Sequence, residues 1–123
     1  MTAYIQSIYL RVSDNVYALL ADATGFDWDE GNSAKLMARH SVDPGECEQA
    51  FFVEPLIVSF DEKHSAAEQR WRALGQTVAG RTLYLVFTMR GTLIRVIHAR
   101  AMNRKERHAY GQGQAVTEDD SGF

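Results

Sequence analysis

Two neighbouring apolar segments near the C-terminal end limit the possible folds of this chain most strongly. Residues 83–88 and 93–97 are mostly apolar along both faces of a strand, and Arg90 and Gly91 form a short connection between them. Strands of this kind lie in the centre of a sheet with other elements packed over them. The two segments therefore predict a central antiparallel hairpin covered by helices.

Other segments extend this hairpin into an α+β fold. Strands are expected over residues 56–60, 71–77, 82–89 and 93–99, the last three as an antiparallel meander. A strand over residues 3–12, a helix from residue 13 or 14 to Gly25, a short strand near 26–29 and a helix over 33–40 precede them. We predict an antiparallel sheet of about four strands, packed by N-terminal helices and a short C-terminal helix.

Two capping motifs set the starts of further helices. Asp43, Pro44 and Glu46 suit the N-cap, N1 and N3 positions of a helix whose apolar stripe includes Cys47. Asn103 and Glu106 repeat the pattern and predict a closing helix to about Tyr110. Residues 111–123, which contain three glycines and three acidic side chains, are expected to form a flexible acidic tail.

Composition excludes several classes of protein. A chain of 123 residues, 46% hydrophobic and 24% charged, has the makeup of one globular domain and is not disordered as a whole. The single cysteine, Cys47, cannot form an internal disulfide. The apolar runs are far shorter than the roughly 20 residues of a membrane span, and the N-terminus does not resemble a signal peptide. We expect a cytoplasmic protein with no membrane partner.

Charge is divided unevenly along the chain. Residues 63–107 contain ten Lys and Arg against two acidic residues, a net charge of +8, whereas the rest contains three bases and fourteen acids, a net charge of −11. A basic half of this size suits a polyanion such as nucleic acid, although a solvated strand face paired with acids elsewhere also fits. The spacing of His and Cys matches no metal motif, no glycine-rich nucleotide loop is present, and we expect neither a metal nor another cofactor.

Arginines on the predicted strands are the main candidates for binding. Arg70 and Arg72 alternate along one strand, so both are expected on one face. Arg95 interrupts an apolar strand and must either pair with a carboxylate such as Glu68 or face a bound anion. Alternation places His98 and Arg100 on the face opposite Arg95.

Two histidines have different expected roles. His64 lies in a polar loop ahead of the arginine strand, where it is either a proton-transfer group near a phosphate or a merely solvated side chain. His40 ends a helix, where a cation stabilises the C-terminal dipole, and we expect this capping role.

An ordered set of segments resembles the BrnT family of toxins. The strongest match is residues 94–101, IRVIHARA, and the loop DEKHS at 61–65 matches as well. The remaining matches are FDWD at 26–29, LMARHSV at 36–42, EQAF at 48–51, EQRW at 68–71, LG at 74–75, RG at 90–91, and Glu106, Arg107 and Tyr110. The resemblance covers residues 26–110, which we take as a BrnT/RelE-like toxin domain, with residues 1–25 as an N-terminal extension.

The resemblance implies a RelE-like ribonuclease toxin of a type II toxin–antitoxin system. Its expected partners are RNA as substrate and a BrnA-like antitoxin with a ribbon-helix-helix domain, which would bring operator DNA to the complex and repress the operon. By position, the implied catalytic residues are His64, Glu68, Arg70, Arg95 and Arg100. The implied RNA-binding residues are Arg104, Lys105, Arg107 and Tyr110.

The expected chemistry is metal-independent attack of a ribose 2′-OH on the adjacent phosphate, with Glu68 or His64 as base and arginines stabilising charge. An inactive RNA- or antitoxin-binding subunit, acting mainly in autorepression, is the alternative.

Two departures from the family pattern stand out. His98 occupies a position where family members usually have a small residue. Residues 1–25 have no counterpart and are either an extra strand and helix or the product of a start codon assigned too far upstream.

Overall fold

The computed structural model describes residues 14–116, and these confirm the α+β class. Its elements are α1 (Asp14–Ala21), β1 (Gly25–Phe26), α2 (Glu30–His40), α3 (Pro44–Ala50), β2 (Ile57–Phe60), a 3₁₀ turn (Glu62–His64), β3 (Trp71–Gln76), β4 (Thr82–Arg90), β5 (Leu93–Ala101) and α4 (Arg104–Gly111). The strand predicted over residues 3–12 lies outside the described residues. No helix within 14–116 is long and apolar enough to cross a bilayer.

The strands form one sheet in the order β1-β5-β4-β3-β2. Strands β2 to β5 are successive antiparallel neighbours, so the predicted meander is confirmed and extends to all four strands. The expected number of about four strands is exceeded by β1, which pairs in parallel with β5 through Gly25–Leu93 and Phe26–Ile94. A strand of two residues has too little alternation to be recognised with certainty from sequence.

Capping boxes begin three of the helices. The boxes of α3 and α4, at Asp43 and Asn103, are present as predicted. Helix α2 begins at Glu30, three residues earlier than expected, because Asp29 caps it and Asn32 returns the hydrogen bond to the Asp29 amide. Because an asparagine at the N3 position departs from the usual Glu or Gln, the common capping-box pattern does not indicate the start of α2.

One face of the sheet, which we call the helical face, carries the main core. Trp71 and Phe87 lie on neighbouring strands with their rings 5.7 Å apart, and Phe51, just after α3, packs edge-on against Phe87 at 5.1 Å. Helix α1 also packs on this core: Val16 is fully buried, and the Tyr17 hydroxyl accepts a hydrogen bond from the Val58 amide. The helices thus cover the sheet on this side.

The other face, which we call the divided face, has a closed end and an open end. At the closed end, Leu74, Tyr84 and Met102 form a smaller cluster against which α4 packs. The open end, marked by Val86 and His98, holds the pocket described below. Val116 is buried in the closed-end cluster, whereas residues 111–115 are exposed, and the acidic residues predicted in the tail lie outside the described residues.

A β-bulge changes the expected direction of side chains along β5. Thr88 pairs with Arg95, Val86 with His98 and Tyr84 with Arg100, with a register shift between Val86 and Phe87. Directly paired residues share a face of the sheet, so Arg95, His98 and Arg100 all lie on the divided face. The expectation that His98 and Arg100 face away from Arg95 is therefore wrong, because one extra residue in the bulge resets the alternation.

Candidate active site

A pocket of about 190 Å³ lies at the open end of the divided face. It is bounded by α2, by the loop between β2 and β3, and by the centres of β4 and β5. Its polar lining comprises Lys35, Arg39, His40, Asp61, His64, Arg70 and His98, and its apolar lining Leu36, Val86 and Ile97. Of the five catalytic residues expected from sequence, the pocket brings together His64 and Arg70.

His64 and Asp61 form a hydrogen-bonded pair on the pocket wall. The Nδ1 atom of His64 lies 3.1 Å from both carboxylate oxygens of Asp61, whose side chain is almost fully buried. An ionised carboxylate only accepts hydrogen bonds, so Nδ1 donates, and in the neutral form of the ring the lone pair is then on Nε2. This arrangement gives the imidazole a fixed orientation and makes it suitable for accepting a proton.

The loop that carries this pair is closed by its own hydrogen bonds. The Asp61 amide donates to the Arg70 carbonyl at 2.8 Å, which prolongs the β2–β3 ladder. The Ser65 hydroxyl donates to the Asp61 carbonyl at 2.6 Å and accepts from the Arg70 amide at 3.0 Å. The serine in the DEKHS segment therefore fixes the positions of His64 and Arg70 relative to the sheet.

Glu68 lies beside two arginines. Its carboxylate is 3.9 Å from Arg70 and 3.7 Å from Arg90. The side chains of these arginines are 35% and 51% exposed, respectively. Such exposed pairs contribute little to stability, but they restrict the orientation of a guanidinium. Glu68 does not line the pocket itself.

Arg95 is already paired with acidic side chains. Its Nη1 atom lies 3.1 Å from a carboxylate oxygen of Asp29 and 3.5 Å from one of Asp27. The pKa of Asp29 is lowered first by the Asn32 backbone amide and then by Arg95. The structure thus gives Arg95 carboxylate partners other than Glu68 and places it near β1, outside the pocket lining.

Arg100 lies at the closed end. It makes two hydrogen bonds with Glu106, at 2.8 and 2.9 Å, and its guanidinium lies 4.2 Å from the centre of the Tyr84 ring. Glu106 is fully buried and also accepts from the Asn103 amide in the capping box of α4. Arg100 therefore attaches α4 to the sheet, and it does not line the pocket.

The four residues of α4 that are expected to bind RNA lie apart from the open-end pocket. Arg107 donates to the Met102 carbonyl at 2.7 Å, and the Tyr110 hydroxyl donates to the Pro55 carbonyl at 2.7 Å. Arg104 and Lys105 are exposed and line a second cleft, together with His108. None of the four lines the open-end pocket.

Sequence reasoning missed Lys35 and Arg39, two basic residues that line the pocket, whereas Arg72, which borders it, was already among the predicted candidates. Lys35 and Arg39 are one turn apart on α2, and that spacing was the available signal for a shared surface. Arg72 is 5% exposed, and within residues 14–116 it has no carboxylate within 4.0 Å; one Nη donates to the Phe60 carbonyl at 3.5 Å. It lies directly opposite Val86 on the divided face.

His40 and His98 meet at the pocket. Their ring centres are 5.0 Å apart at an angle of 86°, and His98 also lies edge-on to Tyr84 at 6.2 Å. Burial, followed by the electrostatic effect of His40, Arg100 and Arg39, lowers the pKa of His98 to about 4. His98 is therefore neutral at pH 7. His40 lies in the last turn of α2, which Ser41 caps.

Other candidate chemistry lies outside the pocket. Cys47 is fully buried, and burial raises the pKa of its thiol to about 12, so it is part of the core as predicted and is not a nucleophile. Within the described part of the chain, no three His, Cys, Asp or Glu side chains come together as a potential metal site.

Comparison with known proteins agrees with this architecture. The chain has no match among curated proteins. It is similar in structure to the Brucella abortus ribonuclease toxin BrnT, with a TM-score of 0.50 and 18% identity over 67% of this chain and 100% of that toxin. The sequence model described as the ribonuclease toxin BrnT of type II toxin–antitoxin systems matches residues 28–106. Since that match spans well over half of the chain, the protein belongs to the BrnT family of ribonuclease toxins.

Proposed function

We propose that this toxin cleaves RNA without a metal ion, by attack of a ribose 2′-OH on the adjacent phosphate. Membership of the type II toxin family implies RNA as substrate and an antitoxin as partner. The observation that carries the proposed chemistry is the pairing of His64 with buried Asp61 beside Arg70 in one pocket. A histidine with a fixed tautomer and a neighbouring guanidinium are the groups that such a reaction needs.

In the proposed step, Nε2 of His64 removes the proton from the 2′-OH while the 2′ oxygen bonds to phosphorus. The bond from phosphorus to the 5′ oxygen breaks, and that oxygen takes up a proton from water at the pocket mouth. The products are a 2′,3′-cyclic phosphate and a 5′-hydroxyl end. Arg70 stabilises the charge on the pentavalent phosphate, and Lys35 and Arg39 on the opposite wall hold the flanking backbone.

The remaining residues expected to be catalytic receive positioning roles in this proposal. Glu68 orients Arg70 from outside the pocket. Arg95 and Arg100 neutralise acids at the edge of the sheet and at the closed end. Arg104, Lys105 and Arg107 contribute long-range attraction for RNA from α4, and Tyr110 anchors that helix.

The test is the chemistry of the cut ends. Purified protein in excess EDTA is incubated with an RNA oligonucleotide and with the same oligonucleotide carrying a single 2′-deoxyribose at the cleaved position. We expect cyclic phosphate and 5′-hydroxyl products from the first, and no cleavage at that position of the second. Loss of cleavage in EDTA that Mg²⁺ restores would contradict the proposal. RNA binding without cleavage under any condition would favour the inactive binding subunit.

We further propose that the partner is a BrnA-like antitoxin with a ribbon-helix-helix domain and that the complex works in the cytoplasm. Under this proposal the antitoxin, and not this chain, contacts operator DNA. The toxin alone is then expected to leave operator DNA unshifted in an electrophoretic assay, whereas the co-purified complex shifts it. A shift by the toxin alone at physiological salt would contradict this division of roles.

A further inference from the structure

The open-end pocket is larger and more apolar than phosphate chemistry needs. Arg70 and His64 at its rim are sufficient to meet a phosphate and a 2′-OH, yet the pocket continues over Leu36, Val86 and Ile97. Its volume of about 190 Å³ is many times the space that a single water molecule needs. A flat apolar ligand group of about the size of one nucleobase suits this part of the pocket.

His98 gives this apolar part a polar group in a fixed position. It extends from the middle of β5 opposite Val86, and the rings of His40 and Tyr84 lie edge-on to it at 5.0 and 6.2 Å. The bulge in β5 directs it to the pocket face. Side chains on packed strands hold a site more accurately than those on loops.

The charge state of His98 suits a base better than a phosphate. Its pKa is lowered to about 4, first by burial and then by the cations around it, so the ring is neutral at physiological pH. A neutral imidazole presents one N–H donor and one nitrogen acceptor. This pair of groups complements the polar edge of a nucleobase and offers no net charge to an anion.

We propose that His98 is a specificity-determining residue, which binds the nucleobase beside the scissile phosphate within the apolar part of the pocket. This inference rests on the proposed function, since it takes His64 and Arg70 as the reacting site. Unpaired bases of RNA are typically recognised by stacking on flat side chains, histidine included, and by hydrogen bonds to their edges. Leu36, Val86 and Ile97 would enclose the faces of the base, and His98 would contact its edge.

The test measures base preference separately from activity. Full-length protein is assayed on four RNA oligonucleotides that differ only in the nucleotide on one side of the cleaved bond, and on four that differ only on the other side. For one of the two positions, we expect the wild type to discriminate by about tenfold to a hundredfold in kcat/KM. His98→Ser is expected to reduce this range to about threefold, while His108→Ser, an exposed histidine on α4, keeps it.

The outcomes separate the two proposals. An unchanged preference in His98→Ser overturns the assignment of His98 and leaves the cleavage chemistry standing, as does a wild type that cleaves all eight substrates equally. Failure of the wild type to cleave any RNA overturns the proposed function instead.

A second measurement uses only the wild-type chain, in case His98→Ser does not fold. The imidazole resonances are followed by NMR during titration with inorganic phosphate and with each of the four nucleoside 3′-monophosphates. We expect phosphate to shift His64 alone and at least one nucleotide to shift His98 as well. Equal effects of phosphate and all four nucleotides on His98, or no effect on it, would overturn the inference.

Discussion

The closed and open ends of the divided face use the same residue types for opposite purposes. At the closed end, Arg100 meets the buried carboxylate of Glu106 in two hydrogen bonds and is covered by α4. At the open end, Arg70 lies at a pocket rim, and its only carboxylate contact within residues 14–116 is Glu68 at 3.9 Å. The first arginine is fully neutralised by the fold, whereas the second retains donors for a ligand.

The buried acidic residues at the two ends also have different partners. Glu106, on α4, is buried and holds a guanidinium, while Asp61 is buried beside the pocket and holds an imidazole. A guanidinium stays charged at any physiological pH, but an imidazole exchanges its proton near neutrality. The partner of the buried acid, more than the acid itself, therefore distinguishes the structural end from the end that we propose to be reactive.

The largest effect is expected from removing the proton acceptor of the open end. His64→Gln should lower the rate of RNA cleavage by about 10²- to 10⁴-fold, since it abolishes general base catalysis while keeping a side chain that can contact Asp61. Single-turnover cleavage with saturating enzyme measures this rate. His108→Gln is the control and should retain full activity. Wild-type cleavage by His64→Gln would remove the reactive role from the open end.

At the closed end, loss of a charge is expected to affect folding instead. Glu106→Gln leaves Arg100 paired with a neutral group under α4 and should lower the free energy of unfolding by about 3–5 kcal/mol. Urea denaturation measures the change. Cleavage by the folded fraction should stay near the wild-type rate, because neither residue lines the pocket.

The chain offers a closely matched control for this substitution. Glu46 also occupies the N3 position of a capping box and pairs with an arginine, Arg81, at 2.8 Å, but the side chains are 26% and 34% exposed, respectively. Glutamine keeps either capping box, so Glu46→Gln should cost at most about 1 kcal/mol. Equal losses of stability in the two variants would contradict the importance of burial at the closed end.

A third substitution tests the charge stabiliser of the open end. Arg70→Ala should reduce the rate of cleavage by about 10²-fold without a comparable loss of stability. Its counterpart is Arg95→Ala, which removes an arginine paired with Asp27 and Asp29 and should change the rate of the folded protein less than tenfold. A greater loss of rate in Arg95→Ala than in Arg70→Ala would show that the sequence pattern had identified the reactive arginine better than the pocket does.

Most of the architecture follows from local signals in the sequence. The meander is set by strands that are apolar on both faces, and α3 and α4 begin at capping boxes that four consecutive residues define. These features depend on neighbours in the chain, and a single sequence displays such neighbours directly. The class of the fold was therefore predictable.

The roles of the individual arginines were not predictable in this way. Arg95 is paired with Asp27, 68 residues earlier in the chain, and its direction depends on a bulge that no turn residue or glycine announces. The pairing of Arg100 with Glu106 lies only six residues away, but it requires the chain to turn from β5 into α4. Which arginines remain available for RNA is decided by tertiary pairing, and the charge pattern cannot show it.

A weaker effect, on stability, is expected when the pH is lowered and His98, at the border between the two ends, becomes protonated. Because the pKa of His98 in the folded protein is about 4, against an ordinary value of 6.5, the unfolded chain binds more protons between these values. Stability from this group is complete above pH 6.5 and is lost as the pH falls towards 4. The shift alone corresponds to about 2 kcal/mol between pH 7 and 5, and solvent screening of this half-buried ring reduces it to about 1 kcal/mol. Between these pH values, the melting temperature of the wild type should therefore fall by about 4 °C more than that of His98→Ser. Equal falls in both proteins would contradict a neutral buried imidazole.

The smallest effect is expected from removing an exposed basic side chain of α4, since these side chains lie outside the open-end pocket. Lys105→Ala should weaken RNA binding similarly for all sequences and reduce the slope of log Kd against log salt concentration by about one unit, since one phosphate contact is lost. Binding of a non-cleavable 2′-deoxy oligonucleotide at several salt concentrations measures the slope. Lys35→Ala, at the pocket, should change the slope by a similar amount and slow cleavage in addition. If Lys105→Ala slowed cleavage at saturating RNA as much as Lys35→Ala does, α4 would belong to the reactive surface and the division between the two ends would fail.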